Sequence, residues 1–276
     1  MICAASEIGL GEYFAEGERE VLDCSTMLDA RAVGTPLAEA LGLSDVIFDV
    51  EVTTNRPDCM SVTGLAREVA AITHSSFRPS PRRVEKSRSI DRRSLDSARD
   101  DAGTVSVRIA DRTACPRYGA VRIDDVTPGP SPWWITRRLL ASGIRPIGNI
   151  VDVTNYVMLE TGQPIHAFDT ARVQSAGVVV RRAKAGERIT TLDGVDRALS
   201  ESVLVIADAA RPIAIAGVMG GRESGVTAAT TSVVLECANF DPMVIRSGAR
   251  ALNLRTEASV RFEKGLPAAL VDHVIG

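Results

Sequence analysis

Three features of this sequence could do chemistry. The first is His166, in Pro164-Ile165-His166-Ala167-Phe168-Asp169, a segment that is apolar apart from the histidine and its terminal aspartate. An imidazole held at a fixed point can orient water, move a proton or grip a hydroxyl. A hydrogen-bonded core histidine is the plainer reading of this segment taken alone. The second is Glu236, at the end of Ser232-Val233-Val234-Leu235. A carboxylate beside an apolar strand must be paired if buried, or held ready for a polar ligand group. A salt bridge to one of the many arginines is the simpler alternative. The third is Ala216-Gly217-Val218-Met219-Gly220-Gly221, where backbone can come close to a ligand and offer N–H groups because no Cβ intervenes. It has neither the Walker lysine nor the Rossmann spacing, so it is a close-approach loop or a tight turn, not a nucleotide phosphate loop. Cys237, beside Glu236, raises a Cys–His nucleophile with His166, but no nucleophile signature surrounds it and a buried inert thiol is expected. His74 and His273 sit at a helix end and near the terminus, and no metal site is expected.

These residues need elements to hold them. From Ile150 to Glu160, Val153, Tyr156, Val157 and Met158 recur at helical spacing with Asp152 in the first turn, and Gly162 and Pro164 stop the helix just before His166. Upstream, Ser131 reads as an N-cap and Pro132 as the first residue of a helix through Trp134, Ile135, Leu139 and Leu140 to Gly143, with Arg137 and Arg138 on its other side. Strands are predicted over residues 104–109, 118–123, 178–182, 203–206, 213–216 and 232–236, with a hairpin about Asp193-Gly194. Asp241-Pro242 caps one further helix and Thr256 another, over TEASVRFEKG. Nearer the start, Phe48–Val52 alternates like a half-buried strand. Asn55, Arg56 and Asp58 follow as turn and cap residues, and Ser61 opens a helix to Ile72 with Val62, Leu65, Val69 and Ile72 on one face. Strands mixed with a few helices, without regular βαβ alternation, predict an α+β fold with a mixed, mainly antiparallel sheet and packed helices, preceded by a smaller α/β segment.

Composition narrows the class. The chain has 276 residues, 45% hydrophobic and 24% charged, enough for one large core or two modest ones and unlike a disordered chain. A net charge of −3 means that nucleic acid would have to be met by a local basic patch, because the whole-molecule field does not attract phosphate. The five cysteines, Cys3, Cys24, Cys59, Cys115 and Cys237, form no CxxC pair and suggest a reducing cytoplasm. No run approaches the ~18 apolar residues of a membrane span. Residues 77–103 turn abruptly to Arg, Ser and Asp and read as a polar, disordered linker between residues 1–76 and 104–276. Its arginines could touch RNA, though mixed-charge stretches are usually just solvated. Residues 1–34 read as loops and short strands without a domain start, so the chain reads as a piece of a longer one.

The strings EVTTNRPDCMSVTGLARE, GIRPIGNIVDVTNYVMLETGQPIHAFD, AGVMGG, LECANFDP and RTEASVRFEKG, in that order, resemble the β subunit of bacterial phenylalanyl-tRNA synthetase. The resemblance implies that residues 1–76 are a partial B1-like domain with the tail of an RNA-binding insert, and that residues 104–276 are a B3/B4-like editing domain. It implies a part of the subunit that, with the alpha subunit, attaches phenylalanine to its tRNA. This region is then expected to hydrolyse tyrosine wrongly esterified to that tRNA, the alternative being a non-catalytic structural or tRNA-binding module. By the same resemblance His166, Glu236 and Thr256 are catalytic, Ala216, Gly217 and Ala258 bind substrate, and Arg145 meets the tRNA 3′ end. Glu236 would receive the tyrosine hydroxyl, and Ala258 must stay small. Implied partners are the alpha subunit, in a heterotetramer of two alpha and two beta subunits, and the tRNA 3′ end, with no membrane and a cytoplasmic location. No cofactor is expected in this segment; ATP and Mg2+ would serve the whole synthetase.

Overall fold

The computed structural model describes residues 11, 23–25, 34–75, 105–174 and 177–275. The expected linker and most of the first 34 residues lie outside the described residues. In chain order come helices α1 (Leu37–Ala40) and α2 (Val62–Ile72), strands β1 (Ser106–Ile109) and β2 (Arg117–Asp124), and helices α3 (Trp133–Ala141) and α4 (Asn149–Thr161). Strands β3 (Ile165–Asp169), β4 (Gly177–Arg182), β5 (Arg188–Thr190), β6 (Asp196–Ala198), β7 (Leu204–Ala207), β8 (Pro212–Ile215), β9 (Met219–Gly220) and β10 (Ser232–Asn239) follow. Helices α5 (Pro242–Ala251), α6 (Glu257–Phe262) and α7 (Ala269–Ile275) end the chain. Packing divides it into two compact units, residues 1–50 with 129–156 and residues 51–128 with 157–276.

In the first unit, α3 buries Ile135 and Leu139, and Trp133 donates its indole N–H to the Leu41 carbonyl at 2.9 Å. The helix starts one residue later than its sequence predicts, with Pro132 at the N-cap. Ser131 is engaged elsewhere: its hydroxyl donates to Asp152 at 2.5 Å, and the same carboxylate accepts the Ile147 N–H at 2.8 Å. Asp152 thus ties the first turn of α4 to the loop before it, and it is 1% exposed. Val153, expected on the apolar face, is exposed, and Thr154 is buried in its stead. The predicted strand Phe48–Val52 is not formed. The backbone there is irregular and Phe48 is 81% exposed, because alternation makes a strand only where a neighbouring strand takes up its N–H and C=O groups.

In the second unit, a five-stranded sheet runs in the order β1-β4-β7-β8-β9, a three-stranded sheet in the order β2-β10-β3, and β5-β6 form a hairpin. Among the described residues only β1 pairs in parallel, with β4; the other pairs are antiparallel, giving the expected mixed, mainly antiparallel α+β fold. β7 and β8 are buried at every position, which is why they read as unbroken apolar runs. One core joins both larger sheets to α5 and α6 through Tyr118, Phe168, Val180, Ile206, Ile215, Val234, Phe240, Ile245 and Phe262. Strand β10 is longer than predicted, reaching Asn239. Its outer face is covered as well, since a Cβ on Gly119 of β2 would meet Val271 and Ile275 of α7. Alternation therefore gives no signal for its second half.

Apart from the start of α3, local punctuation is as the sequence predicts. Gly162, at φ +84°, donates to the Met158 carbonyl and ends α4. Ser61 accepts the Gly64 N–H to open α2, whose supposed core face is nevertheless exposed at Val62, Val69 and Ile72. The helix instead buries Gly64, whose Cβ would strike the Asp58 carbonyl. Asp241 accepts from the N–H groups of Met243 and Val244 at 2.9 and 3.0 Å to start α5. Asp241→Ala removes both bonds and is expected to lower stability by about 1 kcal/mol, read as an earlier urea midpoint with an unchanged slope.

Candidate active site

The centre of the candidate site is a pairing register. In the antiparallel ladder Glu236 of β10 lies directly opposite His166 of β3 and Ala120 of β2. Directly opposed residues point the same way with Cβ atoms about 4.5–5.5 Å apart. Val234, Glu236 and Ala238 thus share one face with His166 and Phe168, and that face looks into the core. Cys237, one residue on, points to the opposite face, where its Sγ lies 3.9 Å from the Val271 carbonyl oxygen. Burial pushes its thiol up to about 12, and a Cys237–His166 pair is excluded by the register.

His166, Glu236, Gly217 and Ala258 line one half-open cleft of about 80 Å³, together with Gly220, Met219, Phe262 and strand residues of β8. This is narrower than the ~150 Å³ cavity that takes a benzene. His166 packs edge-on against Phe168 with ring centroids 4.6 Å apart. Its Nε2 is buried without a hydrogen-bond partner among the described residues. Burial lowers its pKa to about 4, so the imidazole is neutral at pH 7. Glu236 is 6% exposed, and no described residue pairs with its carboxyl. Burial raises it to about 8, so it is mainly the neutral acid at pH 7. Tyr118, two positions along the same face on β2, also has a buried hydroxyl without a partner among the described residues. Its pKa is pushed up by burial first and by Glu236 second.

The glycine loop holds this arrangement by close approach. Gly217 takes φ +65° in the turn closed by the Val218 N–H to Ile215 carbonyl bond, and a Cβ there would press on Ile245, Phe240 and Phe262. The Gly217 N–H makes no backbone bond among the described residues. Gly220 touches the histidine itself: a Cβ would lie 2.4 Å from Cε1 and 2.5 Å from Nε2 of His166. Sequence reasoning marked the loop but missed this role, as it missed Tyr118, Met219 and Phe262. The run of three glycines within five residues was the available signal.

Two predicted residues lie behind the cleft. Ala216 is 1% exposed, in the core beneath the loop. Thr256 is the N-cap of α6; its hydroxyl accepts the Ser259 N–H at 3.1 Å and donates to the Val218 carbonyl at 2.8 Å. Arg145 is exposed in the loop between α3 and α4, in the other compact unit. Away from the cleft, Asp58, Cys59 and Glu68 bring possible metal-ligand atoms within 4.8 Å of one another. Arg56 already spans the two carboxylates, with Nη2 2.8 Å from Asp58 and 2.6 Å from Glu68, so that cluster reads as an ion-pair network.

The B3/4 domain family matches residues 114–276, more than half of the chain and the whole of the cleft. The chain belongs to that family. Over 96% of its length it is 46% identical to the phenylalanine--tRNA ligase beta subunit of Moorella thermoacetica, covering 32% of that protein. Over all of its length it is 42% identical to the corresponding subunit of Gloeobacter violaceus, covering 33%. The chain thus spans about a third of the length of these curated relatives. Among solved structures it matches an N-terminal fragment of the phenylalanyl-tRNA synthetase beta-subunit of Pyrococcus horikoshii over 78% of this chain and 64% of that one, at 13% identity and a TM-score of 0.40. No helix among the described residues is long and apolar enough to cross a membrane.

The B3/4 cleft makes stability depend on pH with a definite sign. The folded state holds a proton on Glu236 from the usual carboxyl value of 4.5 up to about 8, so the stability it contributes is complete below 4.5 and is lost as pH rises through 8. Glu236→Gln lacks this proton. Its urea midpoint relative to wild type is expected to climb between pH 4.5 and pH 8 and to level off above, with a slope approaching ~1.4 kcal/mol per pH unit. A constant difference across that range would show that Glu236 is solvated.

Proposed function

We propose that the cleft hydrolyses an aminoacyl ester at the 3′ end of a tRNA, selecting a tyrosyl group by its hydroxyl, and that the chain is part of a phenylalanine--tRNA ligase beta subunit. The observation that carries this reading is the juxtaposition of His166 and Glu236. Two buried polar side chains stand opposite each other at one cleft, the Nε2 of His166 without a hydrogen-bond partner among the described residues and the carboxyl of Glu236 paired with none of them. Leaving such groups unmet costs about 1–3 kcal/mol each, so a ligand that satisfies both is strongly preferred over one that does not.

The discrimination is of the kind an apolar pocket cannot supply. A hydrophobic site rejects an isostere that merely adds a hydroxyl by only ~100-fold, whereas a site built to bond that hydroxyl rejects the analogue lacking it by ~10⁴–10⁵. Glu236 as a neutral acid offers both an O–H and an acceptor oxygen, matching a phenol that can donate and accept. The ring lies between Ala258, Phe262 and the Gly217 backbone, with the flexible Met219 side chain swinging aside to widen the cleft. In this reading the Gly217 N–H donates to the ester carbonyl as charge develops there. His166, neutral at pH 7, accepts a hydrogen bond from the attacking water. Water adds to the ester carbon, the ribose oxygen departs with a proton, and free tyrosine and tRNA result. Thr256 is a positioning residue, since its hydroxyl is committed to capping α6 and to Val218.

For the whole protein we propose the charging of tRNA with phenylalanine in the cytoplasm, by the assembly with an alpha subunit implied by the resemblance. ATP and Mg2+ belong to that reaction and not to this cleft. Arg145 is proposed to meet the 3′ end as a charge for phosphate, without reading sequence.

Hydrolysis of tyrosyl-tRNA specific for phenylalanine by the chain tests the reading. Wild type is expected to release tyrosine, His166→Ala to lose at least 100-fold in kcat, and Glu236→Ala to lose about 5- to 150-fold in kcat/KM while narrowing the preference over the phenylalanyl ester. Ala258→Trp fills the cleft and should abolish release while leaving the circular dichroism unchanged. Equal rates for wild type and all three variants at high protein concentration would overturn it.

A further inference from the structure

A second concavity of the second unit, larger than the cleft, is a groove of about 500 Å³ between α5, the start and end of α6, and the segment about Thr54. It is lined by Arg246, Arg250, Arg255 and Lys264 against one carboxylate, Glu263. In a chain of net charge −3 this is a local inversion of sign. Arg246 and Arg250, four residues apart on the outer face of α5, are exposed and have no hydrogen-bond or ion-pair partner among the described residues. Arg255 meets Glu263 only at 3.3 Å with its side chain 73% exposed, and Lys264 donates to the Val52 carbonyl at 3.1 Å. Guanidinium groups left free in a concave site suit phosphate oxygens. Thr54 and Asn253 add hydroxyl and amide groups of the kind that meet sugar and phosphate, and Ala249 and Leu254 supply apolar surface.

The groove and the cleft share a helix. Ala258 and Phe262 of α6 line the cleft, while Arg255 before it and Glu263 and Lys264 after it line the groove. Arg255 and Lys264 flank the six-residue helix α6, which is roughly 9 Å long at 1.5 Å per residue, so one flexible strand can reach both sites. We propose that this groove binds the ribose-phosphate backbone of single-stranded RNA and, resting on the ester-hydrolysis reading of the cleft, holds the nucleotides just 5′ of the esterified one. The contact is electrostatic and carries no base preference. It delivers the ester to His166 and Glu236 without taking part in the chemistry.

The test is fluorescence anisotropy of the 276-residue chain with a labelled single-stranded RNA ending in CCA, over a range of salt. The double variant Arg246→Ala, Arg250→Ala is expected to bind about tenfold more weakly, with the log K against log salt slope shallower by about 1.4, the value for two lost single-strand phosphate contacts. Arg67→Ala, an exposed arginine on α2, serves as the control and should change neither quantity. Both groove arginines are exposed and unpaired, so thermal unfolding should be the same in wild type and double variant. The proposal is overturned if wild type does not bind the RNA, if affinity and slope are unchanged in the double variant, or if Arg67→Ala causes an equal loss. Displacement of the RNA by polyglutamate at equal charge would overturn it in favour of an acidic-peptide site. Deacylation separates the two readings. RNA binding through the arginines without ester hydrolysis leaves the groove and removes the cleft function; hydrolysis with equal KM in wild type and double variant does the reverse.

Discussion

The register of β10 is the constraint on which the rest of the candidate site depends. Because side chains alternate with a period of two, sliding β10 by one residue would turn Glu236 onto the face covered by α7 and bring Cys237 inward. Polar side chains fix that register at both ends of the β10–β3 pair. At one end Gln163 donates from its amide to the Pro164 and Ala238 carbonyls at 3.1 and 2.8 Å. At the other, Thr230 donates to Asp169 at 2.8 Å and the Thr170 and Ser232 hydroxyls meet at 3.0 Å. Asn239 donates to the Leu266 carbonyl at 2.6 Å, tying the strand's end to the segment that leads into α7. These buried polar groups contribute less as net stability than as a choice of one alignment among neighbours that apolar packing alone would nearly tolerate.

The register also sets the electrostatics. His166 and Glu236 are both held neutral near pH 7, one by losing its proton and the other by keeping it, and burial is the cause in each. Their effects on stability oppose each other. The folded histidine binds fewer protons than the unfolded one between about 4 and 6.5, which favours the folded state as pH rises; the folded glutamate binds more between 4.5 and about 8, which disfavours it. Between 4.5 and 6.5 the two slopes cancel. Above 6.5 only the glutamate acts, so stability falls toward pH 8. A cleft of two neutral, unpaired groups carries no net charge to be screened and waits for a ligand that brings hydrogen bonds.

Much of this arrangement was legible, and what was not has physical causes. Gly162, Pro164, Asp241 and Thr256 act within one turn of their own positions, so the ends of α4, α5 and α6 could be read from local chemistry. His166 and Glu236 stood out as polar residues in apolar runs, but nothing local says that strands 70 residues apart pair, or that they pair in this register. The segment Phe48–Val52 and the apolar face of α2 show the opposite failure. Periodicity states which side an element would bury if covered, and it cannot supply the cover. Thr256 was readable as a cap and, through the resemblance, as a site residue. Its bond to Val218 joins residues 38 apart and became visible only in three dimensions.

That bond also sets the width of the cleft. One hydroxyl starts α6 by accepting the Ser259 N–H and holds the glycine loop by donating to Val218, so the same atom sets where Ala258 begins and where Gly217 and Met219 stand across from it. The cleft opening is therefore set by a backbone carbonyl and a helix cap, and the cleft lining includes the flexible side chain of Met219. On the outer side of the α5–α6 pair, the free arginines keep their long flexible stems. The proposed recognition of a small polar group and the proposed contact with a charged backbone thus fall on two sides of one pair of helices. That division follows from Ile245 and Phe262 packing inward beneath Gly217 while Arg246 and Arg250 point to solvent.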